Sequence, residues 1–218
     1  MKTMKLFVAL VALPALMFSV SHAKGAIGLV SGNLTTADAC GFGVGYIGGF
    51  AGIADEGTSI FGGLTYGFSD YTEGRVKIGF FDPDVRGADP KIMVALDFKY
   101  EFMDYYDRLR KNPFDLAFGG FMEFVDFEYG SVLGLGGSII GSIPYRFQSG
   151  HRLIPYARLN LRLERVSYDA ADFDDESDFR VGLNLGTKYE VSDNLGLYGE
   201  FQLDGNAGLF LGLDFRAF

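Results

Sequence analysis

From residue 91 to 101 the chain alternates: Ile92, Val94, Leu96, Phe98 and Tyr100 share one parity, and Lys91, Asp97, Lys99 and Glu101 the other. A period of two is the side-chain period of a β-strand, so this stretch reads as a strand with one apolar and one charged face. The split recurs where Val76, Ile78 and Phe80 oppose Glu73, Arg75 and Lys77. It recurs where Leu159, Leu161 and Leu163 oppose Arg158, Asn160, Arg162 and Glu164, and where Val181, Leu183, Leu185 and Tyr189 oppose Arg180, Asn184, Lys188 and Glu190. Followed along the chain, the pattern predicts about ten strands, near 41–54, 58–68, 71–82, 91–103, 113–128, 131–147, 152–166, 178–191, 194–204 and 207–218. The first is glycine-rich, which suits a bent strand and leaves its register poorly specified. Residues 24–40 fit either another short strand or a periplasmic lead-in.

The start of the chain has a different character. Lys2 and Lys5 precede an apolar run from Leu6 to Val20, and Ser21-His22-Ala23 closes it. A basic start, a short apolar stretch and a small-x-small ending are the marks of a secretory signal peptide, placing cleavage after Ala23. The remaining 24–218 shows no linker and no helical period, and reads as one domain. No stretch of it is apolar enough for a spanning helix.

Alternation alone leaves open which face meets which solvent. A soluble lipocalin-like barrel in the periplasm would turn the apolar face inward around an apolar ligand. Other features favour lipid outside. Phe68, Tyr71, Phe102, Phe114, Tyr145, Phe147 and Tyr189 gather near strand ends on one side, as an interfacial girdle does. The chain is exported yet has one Cys, too few for an internal disulfide. Strands of about 11 to 14 residues suffice to cross a bilayer at a tilt. The last strand ends on Phe218.

On these residues the chain resembles bacterial outer-membrane β-barrel proteins over essentially all of 24–218. The resemblance implies a closed all-β, antiparallel transmembrane barrel in the outer membrane, of about ten strands, with eight or twelve as alternatives. It implies periplasmic termini and short turns, and long extracellular loops. Tight turns at 69–70 and 192–194 and polar loops at 82–90 and 167–178 follow that rule, whereas the long 103–113 and the short 55–57 break it. Membrane lipid and lipopolysaccharide would surround such a barrel, and periplasmic chaperones and the barrel-assembly machinery would handle its biogenesis. In that group a terminal Phe is read during assembly. Here Phe218 shares parity with Arg216, Asp214 and Phe210, out of phase with Leu209, Leu211, Leu213 and Phe215, so either the last residues fray or bulge, or the signal is read loosely.

Charge narrows the function further. With 19 Lys and Arg against 28 Asp and Glu, the net charge is −9, which argues against nucleic acid as a partner. The predicted lumen-facing positions nearly cancel: Arg75, Lys77, Lys99, Arg158, Arg162, Arg180 and Lys188 against Glu73, Asp97, Glu101, Glu123, Glu164, Glu190 and Glu200. Adjacent strands can set Arg75 against Asp97, Glu73 against Lys99 and Glu164 against Arg180. Such a set either fills a narrow barrel as an ionic plug or lines a weakly selective pore.

Barrel hydrolases of the same group use a histidine, and this chain has two, His22 in the leader and His151 in a turn. His151 reads as an exposed turn residue with no nucleophile pattern beside it, so no enzyme activity is expected. Asp169, Asp172, Asp174, Asp175, Glu176 and Asp178 form an acidic loop. Carboxylates so crowded suit a hard cation or the cation layer of lipopolysaccharide, but without the glycine of a calcium loop they read as a solvated extracellular loop. Gly134-Leu135-Gly136-Gly137 lies on a strand and is no phosphate loop. No cofactor or metal site is expected. The function that follows is a structural or surface-interaction role in the envelope, with limited porin-like passage of small solutes as an addition to it.

Overall fold

The alternation is realised as a meander. In chain order the strands are β1 (Gly45–Ala54), β2 (Gly57–Ser69), β3 (Thr72–Pro83), β4 (Lys91–Met103), β5 (Asp115–Phe127) and β6 (Gly130–Ser142). They continue as β7 (Tyr145–Arg146), β8 (Arg152–Tyr168), β9 (Glu176–Ser192), β10 (Leu195–Leu203) and β11 (Gly208–Arg216). The computed structural model describes residues 33–55, 57–84, 89–105, 112–127, 130–168, 175–203 and 207–218. The predicted leader, 1–23, lies outside the described residues.

Each strand pairs antiparallel with its neighbour in sequence, save that β6 pairs with β8 and the two-residue β7 only extends β8 at one end. β1 pairs with β11, from Tyr46 opposite Arg216 to Ala54 opposite Gly208, and closes the barrel. Closure leaves no strand edge, and hydrocarbon has no water to satisfy one. The ten long strands match the predicted ten to within a few residues at their ends. Glycine does not loosen the register of β1, because Gly48 and Gly49 pair with Gly63 and Gly62 of β2 in an unbroken ladder.

Burial assigns the two faces. Ile92, Val94, Leu96, Phe98 and Tyr100 of β4 are exposed, while Met93, Ala95, Lys99 and Glu101 are buried. Along most of the wall large apolar residues point out and charged side chains point in, to the extent that Lys77 is 0% and Arg158 2% exposed. That is the inverse of a water-soluble barrel and suits a surround of hydrocarbon. The aromatic girdle is present where predicted: Phe68, Tyr71, Tyr145 and Phe147 are exposed, Phe102 stacks on Phe118 at 4.6 Å, and Tyr189 carries His151 at 5.7 Å.

Loop length separates the two ends poorly. Long connections follow β4 and β6 at the end that carries the termini, and tight ones follow β1 and β5 at the other. The termini, not the loops, therefore distinguish the ends.

The phase of the last strand is corrected by a β-bulge. Ala217 and Phe218 both donate to the Gly45 carbonyl, at 2.8 and 3.5 Å, and Gly45 N–H donates to the Phe218 carbonyl at 3.0 Å. Two residues thus oppose one, which reverses the parity of everything beyond them. The Phe218 ring lies over Gly45, where any Cβ would overlap it, and stands 6.1 Å from the outward ring of Tyr66.

Toward the end opposite the termini, Phe50, Phe61, Phe81, Met93, Val125 and Phe210 form an apolar cluster inside the barrel. Phe50 stacks on Phe61 at 5.2 Å and lies against the wall at Gly48 and Gly212, where a Cβ would collide with its ring.

Leu96 stands on the outer face near mid-strand. Replacing it by Arg places a charge in hydrocarbon and is expected to cost about 2–4 kcal/mol, read as a lower unfolding midpoint in lipid vesicles. An unchanged midpoint contradicts a lipid-facing position.

Candidate functional site

The lumen is occupied by the chain itself. Residues 33–40, which the sequence left as a short strand or an outside lead-in, run through the interior and join no sheet. Cys40 lies near the terminal end, where its N–H donates to Glu73 Oε2 at 3.0 Å, while Asn33 reaches Lys77, Arg158, Asn184 and Gln202 further in.

A buried backbone without a ladder partner must find donors and acceptors elsewhere. Here the wall supplies them. Arg75 Nη1 donates to the carbonyls of Asn33 and Leu34 at 3.2 and 2.9 Å, and Lys77 Nζ to that of Asn33 at 3.1 Å. Lys99 Nζ donates to the carbonyls of Thr36 and Asp38 at 2.8 and 2.6 Å. In return Leu34 N–H donates to Glu200 Oε2 at 2.8 Å, Ala37 N–H to Ser142 Oγ at 3.1 Å, and Ala39 N–H to Glu101 Oε2 at 2.7 Å. Cationic side chains hold carbonyls and carboxylates hold N–H groups, the strong charge-assisted form of both bonds.

The remaining charge pairs across and along the strands. The register sets Glu73 opposite Lys99 and Arg75 opposite Asp97. Lys99 does bridge to Glu73 at 3.0 Å. The nearest cation to Asp97, however, is Lys77 at 2.8 Å, because the Arg75 guanidinium turns to the lumenal segment and to Thr65. Glu164 takes Arg162 at 2.6 Å on its own strand and Arg180 at 3.0 Å on a diagonal across to β9. Lys188 lies between Glu190 at 3.6 Å and Asp214 at 3.4 Å, and Arg152 pairs with Glu190. Glu200 accepts from Tyr156 Oη at 2.7 Å and Asn184 Nδ2 at 2.6 Å. Glu123 is fully buried on β5.

All the charged positions assigned to the lumen thus face inward. Of the uncharged polar groups inside, alternation placed Asn160 and Asn184 on the charged face, and the others were not recognised. Asn33, Tyr156, Asn160, Asn184, Tyr198 and Gln202 are buried inside, and Asn33 bonds to Gln202 Nδ2 to Oε1 at 3.0 Å while Asn160 bonds to Asn184 at 2.6 Å. Asp115, also missed, is legible by stepping the Glu123 parity back along β5.

What space remains is small. A cavity of about 100 Å³ near the terminal end touches Thr36, Asp38, Tyr46, Lys188 and Asp214, and another of about 20 Å³ adjoins Thr35 and Phe121. Both hold a few waters at most, well below the roughly 300–1,000 Å³ of an organic-ligand pocket. Among the described residues neither cavity offers a lipocalin-like barrel its apolar ligand site, and the exterior of the wall is apolar rather than polar.

His151 is half-buried and stacked on Tyr189, not exposed as expected, and its Nδ1 has no hydrogen-bond partner. Among the described acidic-loop residues, Asp175 pairs with Arg165 at 2.9 Å and Asp178 with Arg180 at 3.3 Å, and Glu176 is exposed. Asp169, Asp172 and Asp174 lie outside the described residues. Burial pushes the Cys40 thiol up to about 12, with the Glu73 carboxylate adding to the effect, so this cysteine stays an unreactive thiol.

No protein-family model and no curated protein matches the chain. Among solved structures it is similar to the N-terminal β-barrel domain of Pseudomonas aeruginosa OprF, at 16% identity and TM-score 0.39, covering 81% of this chain and 98% of that one. It is similar also to Ail, the attachment invasion locus protein of Yersinia pestis, at 14% identity and TM-score 0.36, covering 80% and 99%. The outer membrane protein Omp33 of Acinetobacter baumannii gives 8% identity and TM-score 0.36, covering 79% and 97%. The barrel assignment rests on this chain's own strand ladder.

Lys99 joins the wall to the segment. Replacing it by Met strands Glu73 and two segment carbonyls without their cation, and is expected to cost about 3–5 kcal/mol, measured as the urea midpoint of the barrel in vesicles. A loss under about 1 kcal/mol contradicts the seating of residues 33–40 against β4.

Proposed function

We infer that the chain is a non-enzymatic outer-membrane β-barrel that closes its own lumen and serves the envelope as a structural and surface-interaction element, not as an open pore. The observation that carries this reading is the lumenal segment, whose carbonyls are held by Arg75, Lys77 and Lys99. The apolar outer wall calls for a bilayer, and among bacterial membranes closed barrels of this kind belong to the outer one. With the termini in the periplasm, Asp175, Glu176 and Asp178 lie on the outside, facing lipopolysaccharide and its cations. Periplasmic chaperones and the barrel-assembly machinery are the partners of its biogenesis, with Phe218, turned outward by the bulge, as the assembly signal. Against catalysis stands His151, whose Nδ1 lacks a partner, so that no nucleophile and base are paired on it.

Porin-like passage has one observation in its favour: the closing segment is held chiefly by hydrogen bonds and ion contacts, with Leu34 as its apolar anchor, so its departure would leave a charged, water-accessible lumen. Planar-bilayer recordings separate the two. The intact inserted chain is expected to be silent, and the chain lacking residues 24–40 to give reproducible conductance steps. Steady conductance from the intact chain contradicts the closed reading, and silence from both shows that the wall side chains close the barrel without the segment.

A further inference from the structure

Closing the sheet is the step of folding with the longest reach. β1 and β11 lie at opposite ends of the strand order in sequence, and until Tyr46 to Ala54 meet Arg216 to Gly208 the sheet has two open edges. Hydrocarbon leaves such edges unsatisfied, and bringing strands so distant together costs loop-closure entropy. Two hydrogen bonds of the lumenal segment close nearly the same loop. Asn33 Nδ2 donates to Gln202 Oε1 at 3.0 Å and Leu34 N–H to Glu200 Oε2 at 2.8 Å, across 169 and 166 residues of sequence.

The segment holds strands from both ends of the sequence at once. The Asn33 carbonyl accepts from Arg75 and Lys77 of β3, at 3.2 and 3.1 Å, while its side-chain oxygen accepts from Arg158 of β8 at 2.5 Å and from Asn184 of β9 at 3.4 Å. One residue therefore joins β3 to β8, β9 and β10 directly through the lumen, where the ladder joins them only by way of the strands between. Glu200 itself stands opposite Phe210 of the closing strand β11. Toward β1 the connection is a short turn. Gly41 and Gly43 adopt φ of 88° and 72°, Gly43 N–H donates to the Gly67 carbonyl at 3.0 Å, and Gly67 N–H donates to the Val44 carbonyl at 2.9 Å. The Gly41 carbonyl occupies the place that a Cβ on residue 67 would take. With the segment seated, only 35–53 and 201–207 separate these bonds from the first pair of the seam, Ala54 with Gly208.

We propose that Asn33 and Leu34 act in folding as a tie that draws β10 and β11 to β1, so that the segment which occupies the lumen also brings about the closure of the wall. The chemistry of the tie suits this role. A hydrogen bond from Arg158 or to Glu200 needs two groups in line, not the interdigitation that an apolar contact finds only in a finished wall. The role is independent of whether the segment blocks conduction.

Folding and unfolding rates of the full chain in detergent micelles, followed by heat-dependent gel mobility, test this. A contact made before closure shows in the folding rate, and one made after it in the unfolding rate. Asn33→Ala and Glu200→Gln are each expected to slow folding about five-fold or more and to change unfolding by less than about two-fold. Tyr198→Phe removes a buried bond to Asp214 between the neighbouring strands β10 and β11, and is expected to leave the folding rate within about two-fold. Should neither segment variant fold, the chain lacking residues 24–40 decides: slowed or absent closure upholds the tie, and closure at the parent rate overturns it. The proposal is also overturned if Asn33→Ala and Glu200→Gln fold at the parent rate and lose their stability in unfolding alone, or if Tyr198→Phe slows folding as much as Asn33→Ala.

Discussion

A stretch of backbone buried without a strand beside it is the constraint around which the interior of this barrel is arranged. Residues 33–40 bring carbonyls and N–H groups into a space that excludes water, and each left unsatisfied would cost on the order of 1–3 kcal/mol. A purely apolar lumen could not take them. The charged wall does, and this explains an arrangement that mutual ion pairing alone does not. Arg75 faces Asp97 in register yet spends its guanidinium on the segment, and Asp97 is bridged by Lys77 from two residues along. Glu200 likewise bonds to a backbone N–H, a tyrosine and an asparagine before any cation. The near-cancellation of lumenal charge follows, because a peptide segment offers as many acceptors as donors and draws on both signs equally.

How much of this could be read beforehand depended on periodicity. Period two in 91–101 fixed both the strand and its inward face, and the same argument held for Glu73, Arg158 and Lys188, since a one-residue slip would put their charges into lipid. The lumenal segment has no such period. Asn33 to Asp38 is short, mostly polar and without regular structure, and nothing local says that a distant wall will satisfy its backbone. Glu101 was legible as lumenal, but its bond to Ala39 N–H depends on that segment. The phase of Phe218 was legible as a conflict, and only the bulge at Gly45 shows how the backbone resolves it.

Charge and aromatic rings divide the lumen between them. Phe50, Phe61, Phe81 and Phe210 fill the end opposite the termini, where the glycines at 48, 52 and 212 let the rings lie flat on the wall. A narrow closed barrel cannot hold large side chains from every strand, so bulky rings require facing glycines. This gives part of the high glycine content a packing role in a sheet where glycine otherwise weakens strands.

Leu34 joins the two halves. It is the residue of the segment buried in the apolar cluster, 1% exposed, and it adopts φ 57°, which a leucine visits only at a cost of about 1–2 kcal/mol. Burying a leucine side chain contributes about 1.5–3 kcal/mol, enough to offset that strain with a small surplus. The surplus places the segment but does not hold it alone; the cations at 75, 77 and 99 supply the rest. Closure therefore depends chiefly on contacts that respond to charge, with one apolar contact setting the depth.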